Sequence, residues 1–334
     1  MRVAESDLRR LATGLLEERG APPKVAWLQA DLLIEAELRG LPSHGLQRLP
    51  RLLARIDRGL ANPFATGTHR WRGHALLQVD GQRALGPVAV MSALEALLPA
   101  IENSGLALAA IRDANHIGML AYYAEQAARR GLIGILLSTS EALVHPFGGT
   151  EAMLGTNPIA IGIPTGETPF VLDLATSLVS MGKIHNYALR GESLLQGWAV
   201  DVDGNPTTDA EAAKSGAIAP FGDAKGYGLG LAFELLVAAL AGSDLAPEIH
   251  GTLDTTHPAN KGDVLILIDP GADERTITRL AAYLDALRCS RPVDINRPIA
   301  VPGDGMRTRR SATLRDGIDV PEALLNELRT LQPA

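Results

Sequence analysis

A histidine and an arginine stand four residues apart in the segment PSHGLQR, which covers residues 42–48. If this segment is helical, His44 and Arg48 share one face, because side chains at positions i and i+4 of a helix are neighbours. Arginine offers a planar bidentate fork to a carboxylate, and histidine titrates near neutral pH and can transfer a proton. The pair therefore favours a site that oxidises or reduces a small acid beside its carboxylate. The alternative is a capped helix start with a surface arginine.

A second histidine, His116, lies in the sequence DANHIG over residues 113–118, after a predicted strand and before a predicted helix. Polar groups at the carboxyl end of a strand, where a helix begins, commonly line sites in α/β proteins. A helix N-terminus disfavours the imidazolium, so the position predicts a neutral His116, and Gly118 leaves room for a flat ring. The alternative, a histidine that caps its own helix, is disfavoured because Asn115 already supplies a capping side chain.

The glycine fingerprint of nicotinamide enzymes, Gly-x-Gly-x-x-Gly after a strand, is not found in the sequence. The nearest sequence is KGYGLG over residues 225–230, where the glycines recur at every second position as a helix begins. Lys225 beside the free N–H groups of a helix N-terminus would suit a phosphate. The alternative is a helix face of small residues that packs closely on a neighbour.

The N-terminal part of the chain is predicted to be helical, and the rest is predicted to contain both strands and helices. Apolar side chains at helical spacing predict two helices within residues 5–39, separated by the segment 20–23, and a third over 45–58. Beyond residue 70, short β-prone runs appear between helices. Strands are predicted over 75–79, 106–111, 133–137, 158–163, 170–174, 197–202 and 264–268. Further helices are predicted over 86–103, 118–130, 225–241, 272–288 and 320–330.

Two of these strands, 159–163 and 170–174, are joined by a turn that is too short for a parallel crossover, so the pair must be antiparallel. The sequence therefore predicts an α/β fold with a mixed, largely antiparallel sheet rather than an all-parallel one. We expect an N-terminal helical unit over 1–70, a mixed-sheet unit over 71–300 that binds cofactor and substrate, and a tail over 301–334 that returns to the cofactor site.

The composition sets limits on function. Hydrophobic residues make up 46% of the 334, which is enough for a full core, and the net charge is −7 with no basic stripe, so nucleic-acid binding is not expected. The N-terminus has no apolar signal core, and Glu234 interrupts the longest apolar run, 229–240, so no membrane span is expected. We therefore expect a cytoplasmic protein.

A metal centre is not expected either. The single cysteine, Cys289, excludes an internal disulfide framework and a cysteine-rich metal cluster. No pair of histidines has the His-Glu-x-x-His spacing of a zinc protease. His145, His250 and His257 are interpreted as loop residues, while His185 is expected near the site.

Six motifs, in order, resemble those of the type-2 malate/L-lactate dehydrogenase family, and the similarity extends from about residue 5 to 310. That family also includes ureidoglycolate, sulfolactate and diketogulonate oxidoreductases and cyclic-imine carboxylate reductases. The motifs are SHG at 43–45 with Arg48, NHIG at 115–118, LGTNP at 154–158, DLATS at 173–177, GWA at 197–199 followed by PTTD at 206–209, and KGYGL at 225–229. The resemblance implies a fold distinct from Rossmann, NAD or NADP bound by a mixed sheet, and a homodimer with its active site near the subunit boundary.

The resemblance also implies roles for individual residues. In relatives the histidine that matches His44, next to Ser43, serves as proton donor or relay, and the arginine that matches Arg48 holds the substrate carboxylate. In some members the histidine that matches His116 is the acid or base instead, and both remain candidates. Thr156 matches a substrate contact. The cofactor contacts correspond to His116, Gly118, Ser140, Asp173, Leu174, Ala175, Lys225, Gly226, Gly303, Asp304 and Arg307.

Lys183 departs from one branch of the family. Cyclic-imine reductases carry an aspartate in the stretch that matches 181–183, where it completes a Ser-His-Asp relay, whereas this chain has lysine. A lysine favours a 2-oxo or 2-hydroxy acid with extra negative charge, and would stabilise a developing alkoxide. The leading prediction is hydride transfer between NAD(P)H and a malate-, lactate- or sulfolactate-type acid. The alternatives are a piperideine- or pyrroline-2-carboxylate reductase and a non-catalytic nucleotide-binding relative.

Overall fold

The structure is a computed structural model, and it describes residues 1–331. The strands are β1 (Arg2–Val3), β2 (Thr68–Arg72), β3 (Leu76–Asp80), β4 (Leu106–Arg112), β5 (Ile133–Ser138), β6 (Ile159–Ile163), β7 (Phe170–Leu174), β8 (Ala199–Val200), β9 (Pro206–Thr207), β10 (Ala217–Ile218), β11 (Gly262–Ile268) and β12 (Ile318–Asp319). The α-helices are α1 (Glu5–Glu17), α2 (Pro23–Leu38), α3 (Leu49–Asp57), α4 (Gly86–Ser104), α5 (Ala121–Arg129), α6 (Met181–Arg190), α7 (Ala210–Ala213), α8 (Ala224–Ala241), α9 (Glu274–Arg288), α10 (Asp304–Asp316) and α11 (Glu322–Thr330). Short 3-10 turns lie at Pro42–His44, Leu46–Arg48 and Ala246–Glu248.

The main sheet has seven strands in the order β2-β3-β4-β11-β5-β6-β7. Only β3 and β4 are parallel among its neighbouring pairs, and the predicted pair β6–β7 is antiparallel, with Ile159 opposite Leu174. The central strand β11 pairs with β4 on one side and β5 on the other. Its apolar run VLILI suits a strand with both faces covered. The predicted mixed, largely antiparallel sheet is confirmed.

Helices cover the two faces of this sheet unequally. On one face, α4 and α5 pack over the strands and enclose the largest hydrophobic core, which includes Leu97, Tyr123 and Leu265. On the other face, α8 packs on β11, β4 and β5 around Val237 and Val264. The sheet is therefore a two-sided platform whose edge strand, β7, ends near the predicted cofactor residues.

The N-terminal helices form a unit with the end of the chain. Leu16 of α1 and Ile34 of α2 share a hydrophobic core with Leu325 and Leu328 of α11, and β1 pairs with β12. The described part of the tail therefore packs on the N-terminal unit as well as beside β7. The predicted domain boundaries remain predictions.

Several local predictions were wrong. The helix predicted over 45–58 begins only at Leu49, because two 3-10 turns precede it and Gly45 between them has an extended ψ of −147°. The helix predicted over 118–130 begins at Ala121. The strand predicted over 197–202 shrinks to Ala199–Val200, in a separate three-stranded sheet with β9 and β10. Helices α6 and α10 and strand β2 lie in segments where the sequence predicted none.

Helix α8 is long and apolar enough to cross a membrane by length and composition, with a mean hydropathy of 1.4. The sequence-based argument against a span used Glu234. In the structure this carboxylate is 3% exposed and accepts hydrogen bonds from the Ala246 N–H (2.7 Å) and the Asn157 amide (2.5 Å). One side of α8 thus packs on the protein, but only 22% of the helix is buried. The prediction of no membrane partner remains a prediction.

Candidate active site

His44 and Arg48 do not share a helix face, so the helical prediction for this segment was wrong. His44 ends one 3-10 turn, Arg48 ends the next, and extended Gly45 lies between them. A side chain at Gly45 would collide with the carboxylate of Glu37, which also accepts the Leu46 N–H at 2.7 Å. Arg48 folds back and donates from Nε to the Ser43 carbonyl at 2.8 Å. Turn geometry, not helical periodicity, brings the histidine and the arginine together.

The two candidate histidines meet although 72 positions separate them in the chain. Their ring centroids lie 5.5 Å apart with the planes tilted by 36°. His44 Nδ1 is 3.0 Å from the Ser43 hydroxyl, and His116 Nδ1 accepts the Gly118 N–H at 3.1 Å. A neutral His116 therefore carries its proton on Nε2. The structure brings His44, His116, Ser43 and Arg48 into one cleft.

Both imidazoles are held neutral. Burial, and after it the positive charge of Arg48, lowers the pKa of His44 to about 4. Burial, Arg48 and His44 together hold the pKa of His116 well below its usual value. The predicted neutrality of His116 has a different cause from the helix N-terminus that the sequence suggested, since α5 begins only at Ala121. A charged histidine in this cleft would have to overcome both desolvation and a nearby cation.

Asn115 does not cap a helix, contrary to the sequence interpretation. Its side chain is buried, accepts from Arg55 Nε at 2.9 Å and donates to the carbonyls of Arg83 (2.8 Å) and Ala84 (3.0 Å). It therefore fixes the loop before His116 against helix α3. The positive φ of Asp113, 55°, and of Gly118, 75°, lets the loop bend on both sides of the histidine.

Arg48 is held by backbone carbonyls. Besides the Ser43 carbonyl, it donates from Nη1 to the Thr252 carbonyl at 3.1 Å. Burial and the neighbouring cation of Arg51 lower the pKa of Arg48 to about 10, against the opposing effect of Glu141. The guanidinium therefore remains charged at neutral pH but is poorly compensated. Such a cation favours an incoming carboxylate.

Lys183 lies at the first turn of α6, whose N-cap Ser180 accepts the Lys183 N–H. This helix start touches the catalytic segment, because a Cβ on Gly182 would lie 3.0 Å from that of Ser43. The Lys183 side chain itself is exposed, and its Nζ lies 4.4 Å from the Trp198 ring centroid. Its predicted role at the substrate remains a prediction, and its observed partner is an aromatic ring.

Three of the predicted nucleotide residues, Asp173, Leu174 and Ala175, lie at the carboxyl end of edge strand β7. The Asp173 carboxylate accepts the Ala121 N–H at 2.7 Å and so ties β7 to the start of α5, while burial raises its pKa to about 6. Leu174 and Ala175 continue this strand end and are partly buried. This Asp173 contact is structural, and the predicted contact with a nucleotide remains a prediction.

Ser140 and Thr156 lie together beside this strand end. The Ser140 hydroxyl accepts the Thr156 N–H at 3.1 Å, and the Thr156 carbonyl accepts from the Thr176 hydroxyl at 3.0 Å. A Cβ on Gly230 would lie 2.8 Å from the same hydroxyl oxygen of Thr176. Gly230 of the glycine-rich start of α8 thus packs closely on Thr176, which supports the alternative interpretation at that position, while Gly228 and Lys225 are exposed.

On the other side of β7 lies the start of α10. Arg307 donates to the Pro169 carbonyl at 3.2 Å and to the Asp304 carboxylate at 2.5 Å. Arg288 adds a bidentate pair to Asp304 with both contacts at 2.9 Å, and these cations and the Val301 N–H hold the pKa of Asp304 well below its usual value. Gly303, with φ of 94°, opens this helix. Gly303, Asp304 and Arg307 therefore lie beside the start of β7, and their predicted contact with the cofactor remains a prediction.

The sequence analysis missed a buried ion pair at the start of β11. Lys261 is 2% exposed, and its Nζ lies 2.5 Å from both carboxylate oxygens of Asp263, which also accepts the Ser138 hydroxyl at 2.6 Å. Its charge contributes to the lowered pKa of His116. The sequence signal that could have revealed this pair is the tripeptide KGD at 261–263, which sets two opposite charges at the start of an apolar strand.

Two cavities are lined by predicted site residues. A small one of about 30 Å³ is lined by Arg48, Arg51, Arg55, Asn115 and His116, among others. A larger cleft of about 640 Å³ lies between α2, α5 and α10 and is lined by Arg307 among its residues. Of the predicted nucleotide residues, His116 and Gly118 line the small cavity and Arg307 lines the larger cleft.

A buried guanidinium beside paired imidazoles, on a mixed α/β scaffold, fits the class of dehydrogenases that act on small acids. The chain belongs to the malate/L-lactate dehydrogenase family, whose family model, described as malate/L-lactate dehydrogenase, matches residues 3–329. The resemblance seen in the sequence is therefore confirmed. The protein is an oxidoreductase that uses NAD or NADP.

Individual relatives support this assignment over the full length. The chain is 34% identical to L-sulfolactate dehydrogenase of Methanocaldococcus jannaschii, covering 97% of this chain and 94% of that one. It is 34% identical to (2R)-3-sulfolactate dehydrogenase (NADP(+)) of Chromohalobacter salexigens, covering 98% and 97%. A dehydrogenase from Sinorhizobium meliloti has a crystal structure that is similar with a TM-score of 0.96 at 64% identity, covering 99% and 98%.

Proposed function

We propose that this protein transfers a hydride reversibly between NAD(P)H and the carbonyl carbon of a small 2-oxo acid, giving a 2-hydroxy acid. The observation that carries the proposal is the meeting of His44, His116 and Arg48, with the histidine rings 5.5 Å apart and Arg48 lowering the pKa of both. This arrangement puts a carboxylate clamp beside two proton carriers. The reacting carbon would then lie next to the held carboxylate.

Arg48 would bind the substrate carboxylate. A guanidinium has five N–H donors, and Arg48 uses two of them on the carbonyls of Ser43 and Thr252. The remaining donors can form a bidentate pair with a carboxylate. Binding the anion would also offset the positive charge that holds the neighbouring histidines neutral, so the substrate would raise their pKa on arrival.

His44 is the stronger candidate for the proton donor. Its Nδ1 meets the Ser43 hydroxyl at 3.0 Å, which leaves Nε2 for the substrate oxygen. His116 instead has Nδ1 occupied by the Gly118 N–H and, when neutral, can donate a hydrogen bond from Nε2 without changing its charge. We therefore assign proton transfer to His44 and orientation of the carbonyl oxygen or the nicotinamide to His116.

Arg51 and Arg55 favour an acid with a second negative group. Both line the small cavity beside Arg48 and His116, and Nη2 of buried Arg55 has no hydrogen-bond partner in the described residues. An unpaired buried donor on a cation is costly and is relieved by an anion. This replaces the sequence argument from Lys183, and it favours malate- or sulfolactate-type acids over lactate.

The nucleotide would lie along the end of β7, on a scaffold outside the Rossmann class. The donor chemistry fits a dinucleotide: Lys225 is exposed at the first turn of the long helix α8, where free N–H groups suit a phosphate, and Arg307 supplies a cation on the far side. The bound nucleotide supplies the hydride chemistry, and the chain supplies orientation and electrostatics. Ser140, Thr156 and Ala175 would line the space between.

A homodimer would cover the apolar faces that the single chain leaves open. Leu235 and Leu236 of α8 are 54% and 41% exposed, and Leu280 and Tyr283 of α9 are 38% and 63% exposed. Large apolar side chains exposed along a helix face are typical of interfaces when they form a patch. We propose a cytoplasmic homodimer that buries α8, and light scattering on Leu235→Glu should show monomers if this face is the contact.

A cyclic-imine carboxylate reductase is the second candidate. The Ser43 hydroxyl on His44 Nδ1 would form the first half of a serine–histidine relay, and the chain is 33% identical to Delta(1)-pyrroline-2-carboxylate reductase of Ancylobacter novellus, covering 100% of this chain and 98% of that one. The exposed Lys183, stacked on Trp198, offers no carboxylate to complete that relay.

One assay separates the candidates. Oxaloacetate, sulfopyruvate, pyruvate and pyrroline-2-carboxylate are each supplied with NADH and with NADPH, and oxidation is followed at the nicotinamide absorbance band. We expect the two dianionic acids to give the highest kcat/KM. Turnover of the imine alone would overturn the proposal in favour of the reductase, and nucleotide binding without turnover of any compound would indicate a non-catalytic relative.

A further inference from the structure

The loop between the 3-10 turn Ala246–Glu248 and strand β11 contains an unassigned group of metal-binding side chains. His250, Asp254 and His257 each present one ligand atom, and these three atoms lie within 4.8 Å of one another. The spacing is His-x-x-x-Asp-x-x-His, so a search for zinc-protease spacing does not find it. The three side chains come together because the loop turns back on itself.

Asp254 organises that turn. Its Oδ1 accepts the N–H groups of Thr256 (2.9 Å) and His257 (3.0 Å). The second oxygen, Oδ2, lies 3.2 Å from His257 Nδ1. Oδ2 also accepts the Gly251 N–H at 3.4 Å. Backbone donors therefore orient the carboxylate, with Oδ2 toward His257.

These separations suit a transition-metal ion. Zinc bonds to histidine nitrogen and carboxylate oxygen are about 2.0–2.2 Å long, so two ligand atoms at a tetrahedral angle lie about 3.4 Å apart. The hydrogen-bonded pair of Asp254 Oδ2 and His257 Nδ1 has a separation of 3.2 Å, close to this value, and His257 Nδ1 also lies 2.9 Å from the Thr256 hydroxyl. The ring centroids of His250 and His257 lie 4.8 Å apart, tilted by 30°, and the ligand atom of exposed His250 lies within 4.8 Å of the other two.

The same loop holds the arginines of the active site. Arg55 donates from Nη1 to the carbonyls of Asp254 (2.9 Å) and His257 (3.1 Å), and Arg48 donates to the carbonyl of Thr252 at 3.1 Å. The backbone between His250 and His257 therefore fixes both guanidinium groups. An ion that ties the loop at three points would restrict the carbonyls that orient Arg48.

We propose that His250, Asp254 and His257 bind one divalent transition-metal ion of the zinc class (Zn²⁺, Co²⁺ or Ni²⁺), with water completing the coordination, and that the ion tightens binding of the acid substrate by fixing the loop that holds Arg48. The ion takes no part in hydride transfer. The second half of this proposal rests on the proposed function; the first half does not. It departs from the expectation of no metal, which considered only zinc-protease spacing and cysteine clusters.

The binding test uses tag-free, full-length protein that is treated with chelator and desalted. Co²⁺ is titrated while its visible absorption is recorded, and Zn²⁺ is titrated by calorimetry. We expect one equivalent to bind wild type, and affinity at least about tenfold lower in His250→Ala and in His257→Ala, since even the loss of a supporting partner costs that much. The matched control is His74→Ala, which removes an exposed histidine from the turn between β2 and β3.

Equal binding by His74→Ala and wild type, with loss in the two loop variants, supports the site. Equal affinity in the double variant His250→Ala/His257→Ala, or no saturable binding to wild type, overturns it. Thermal unfolding of the metal-free variants checks that they fold; both side chains are exposed, so we expect unchanged midpoints. Asp254→Asn gives a further check, because the amide oxygen can keep the turn while the charge is lost.

The coupling test measures KM for oxaloacetate with and without one equivalent of Zn²⁺. We expect KM to fall severalfold in wild type with kcat unchanged, and no change in the double variant. Stoichiometric binding with an unchanged KM would overturn the link to Arg48 while the site stands. Absence of turnover with every acid would contradict the proposed function, and the titrations would still decide the metal site.

Discussion

Two charged regions of the molecule differ in how their charges are paired: the cleft around His44, and the Asp304 region beside strand β7. In the cleft, Arg48 and the two histidines are desolvated, repel one another and have lowered pKa values. Beside the start of β7, Asp304 is paired with Arg288 and Arg307, and its pKa is lowered by its partners. The first region keeps the Arg48 cation without a carboxylate partner beside two neutral imidazoles, whereas the charges of the second region are already paired. We therefore expect the reaction rate to depend steeply on the cleft and only modestly on the Asp304 region.

The largest effect should come from the proton donor. His44→Ala should lower kcat by about a hundredfold or more, the usual contribution of general acid–base catalysis, while His116→Ala should lower it less. Steady-state rates with a dianionic 2-oxo acid and saturating NAD(P)H measure both. If His116→Ala proves the more damaging change, the two roles are exchanged, and near-normal rates in both variants would reject the cleft as the reacting site.

Arg48→Lys should mainly raise KM for the acid. The lysine keeps the charge but loses the bidentate fork, and a charge-assisted hydrogen bond of about 1.5–3 kcal/mol corresponds to roughly 10–100-fold. KM for oxaloacetate and KM for the nucleotide are both measured in Arg48→Lys and in wild type. The KM for oxaloacetate should rise, and the KM for the nucleotide should stay the same. The control is Arg58→Ala at the end of helix α3, an exposed arginine that bonds Thr255. An unchanged KM for the acid would remove the clamp from the mechanism.

The pH profile tests the desolvation of the cleft. In the oxidation of a 2-hydroxy acid the neutral histidine is the base, and the pKa of His44 near 4 in the free protein means that it is neutral at all higher pH. We therefore expect the titration of His44 to cause no change in kcat/KM for oxidation between pH 6 and pH 8. We also expect kcat to titrate at a higher pH than kcat/KM, because the bound carboxylate offsets Arg48. An inflection of kcat/KM near 6.5 would show a solvated histidine instead.

Glu37 connects the cleft to stability. Burial raises the pKa of this carboxyl to about 7, against the Leu46 N–H. A carboxyl whose folded pKa is raised binds more protons in the native state, so its contribution falls as pH rises from about 4.5 through 7. Glu37→Gln keeps an acceptor and removes the titration. We expect this variant to gain roughly 1–3 kcal/mol relative to wild type between pH 5 and 8, measured by denaturant unfolding.

If the difference in unfolding free energy between the two proteins is the same at both pH values, Glu37 does not titrate there. Glu274→Gln, on the surface of α9 where the carboxyl lies in the first helical turn, is the matched control. It should show no comparable growth with pH.

The smallest effect on stability and nucleotide binding should come from a substitution in the Asp304 region beside β7. Arg307→Ala removes a partly exposed partner of Asp304, but Arg288 keeps the bidentate pair. Surface ion pairs contribute about 0–1 kcal/mol, so we expect stability to change little and nucleotide affinity to fall only severalfold. Fluorescence titration with NADH and NADPH measures this. A loss confined to NADPH would place Arg307 at the ribose phosphate, and a hundredfold loss for both would contradict the contrast between the two regions.

The comparison also shows where sequence reasoning succeeded and failed. The antiparallel pair β6–β7 followed from a connection too short for a crossover, and strand β11 followed from its continuous apolar run. The helix predicted over 45–58 begins only at Leu49, because Gly45, packed against Glu37, separates two 3-10 turns before it. Helix α10 was missed because its polar, basic sequence carries little helical periodicity. Helix α6 was missed although Met181 and Ile184 recur at helical spacing, and it is stabilised by burying them in a core with Trp198.

By itself the sequence determined the mixed sheet, the family and the residue types that can bind a carboxylate and move a proton, because period, turn length and side-chain chemistry are local properties. Only the tertiary structure decided that His44 and His116 meet at 5.5 Å, that both are held neutral, and that Arg55 is left with an unpaired donor. It also brought together the three ligand atoms of the loop before β11. Distance, burial and charge repulsion arise from segments far apart in the chain, so no local pattern could specify them.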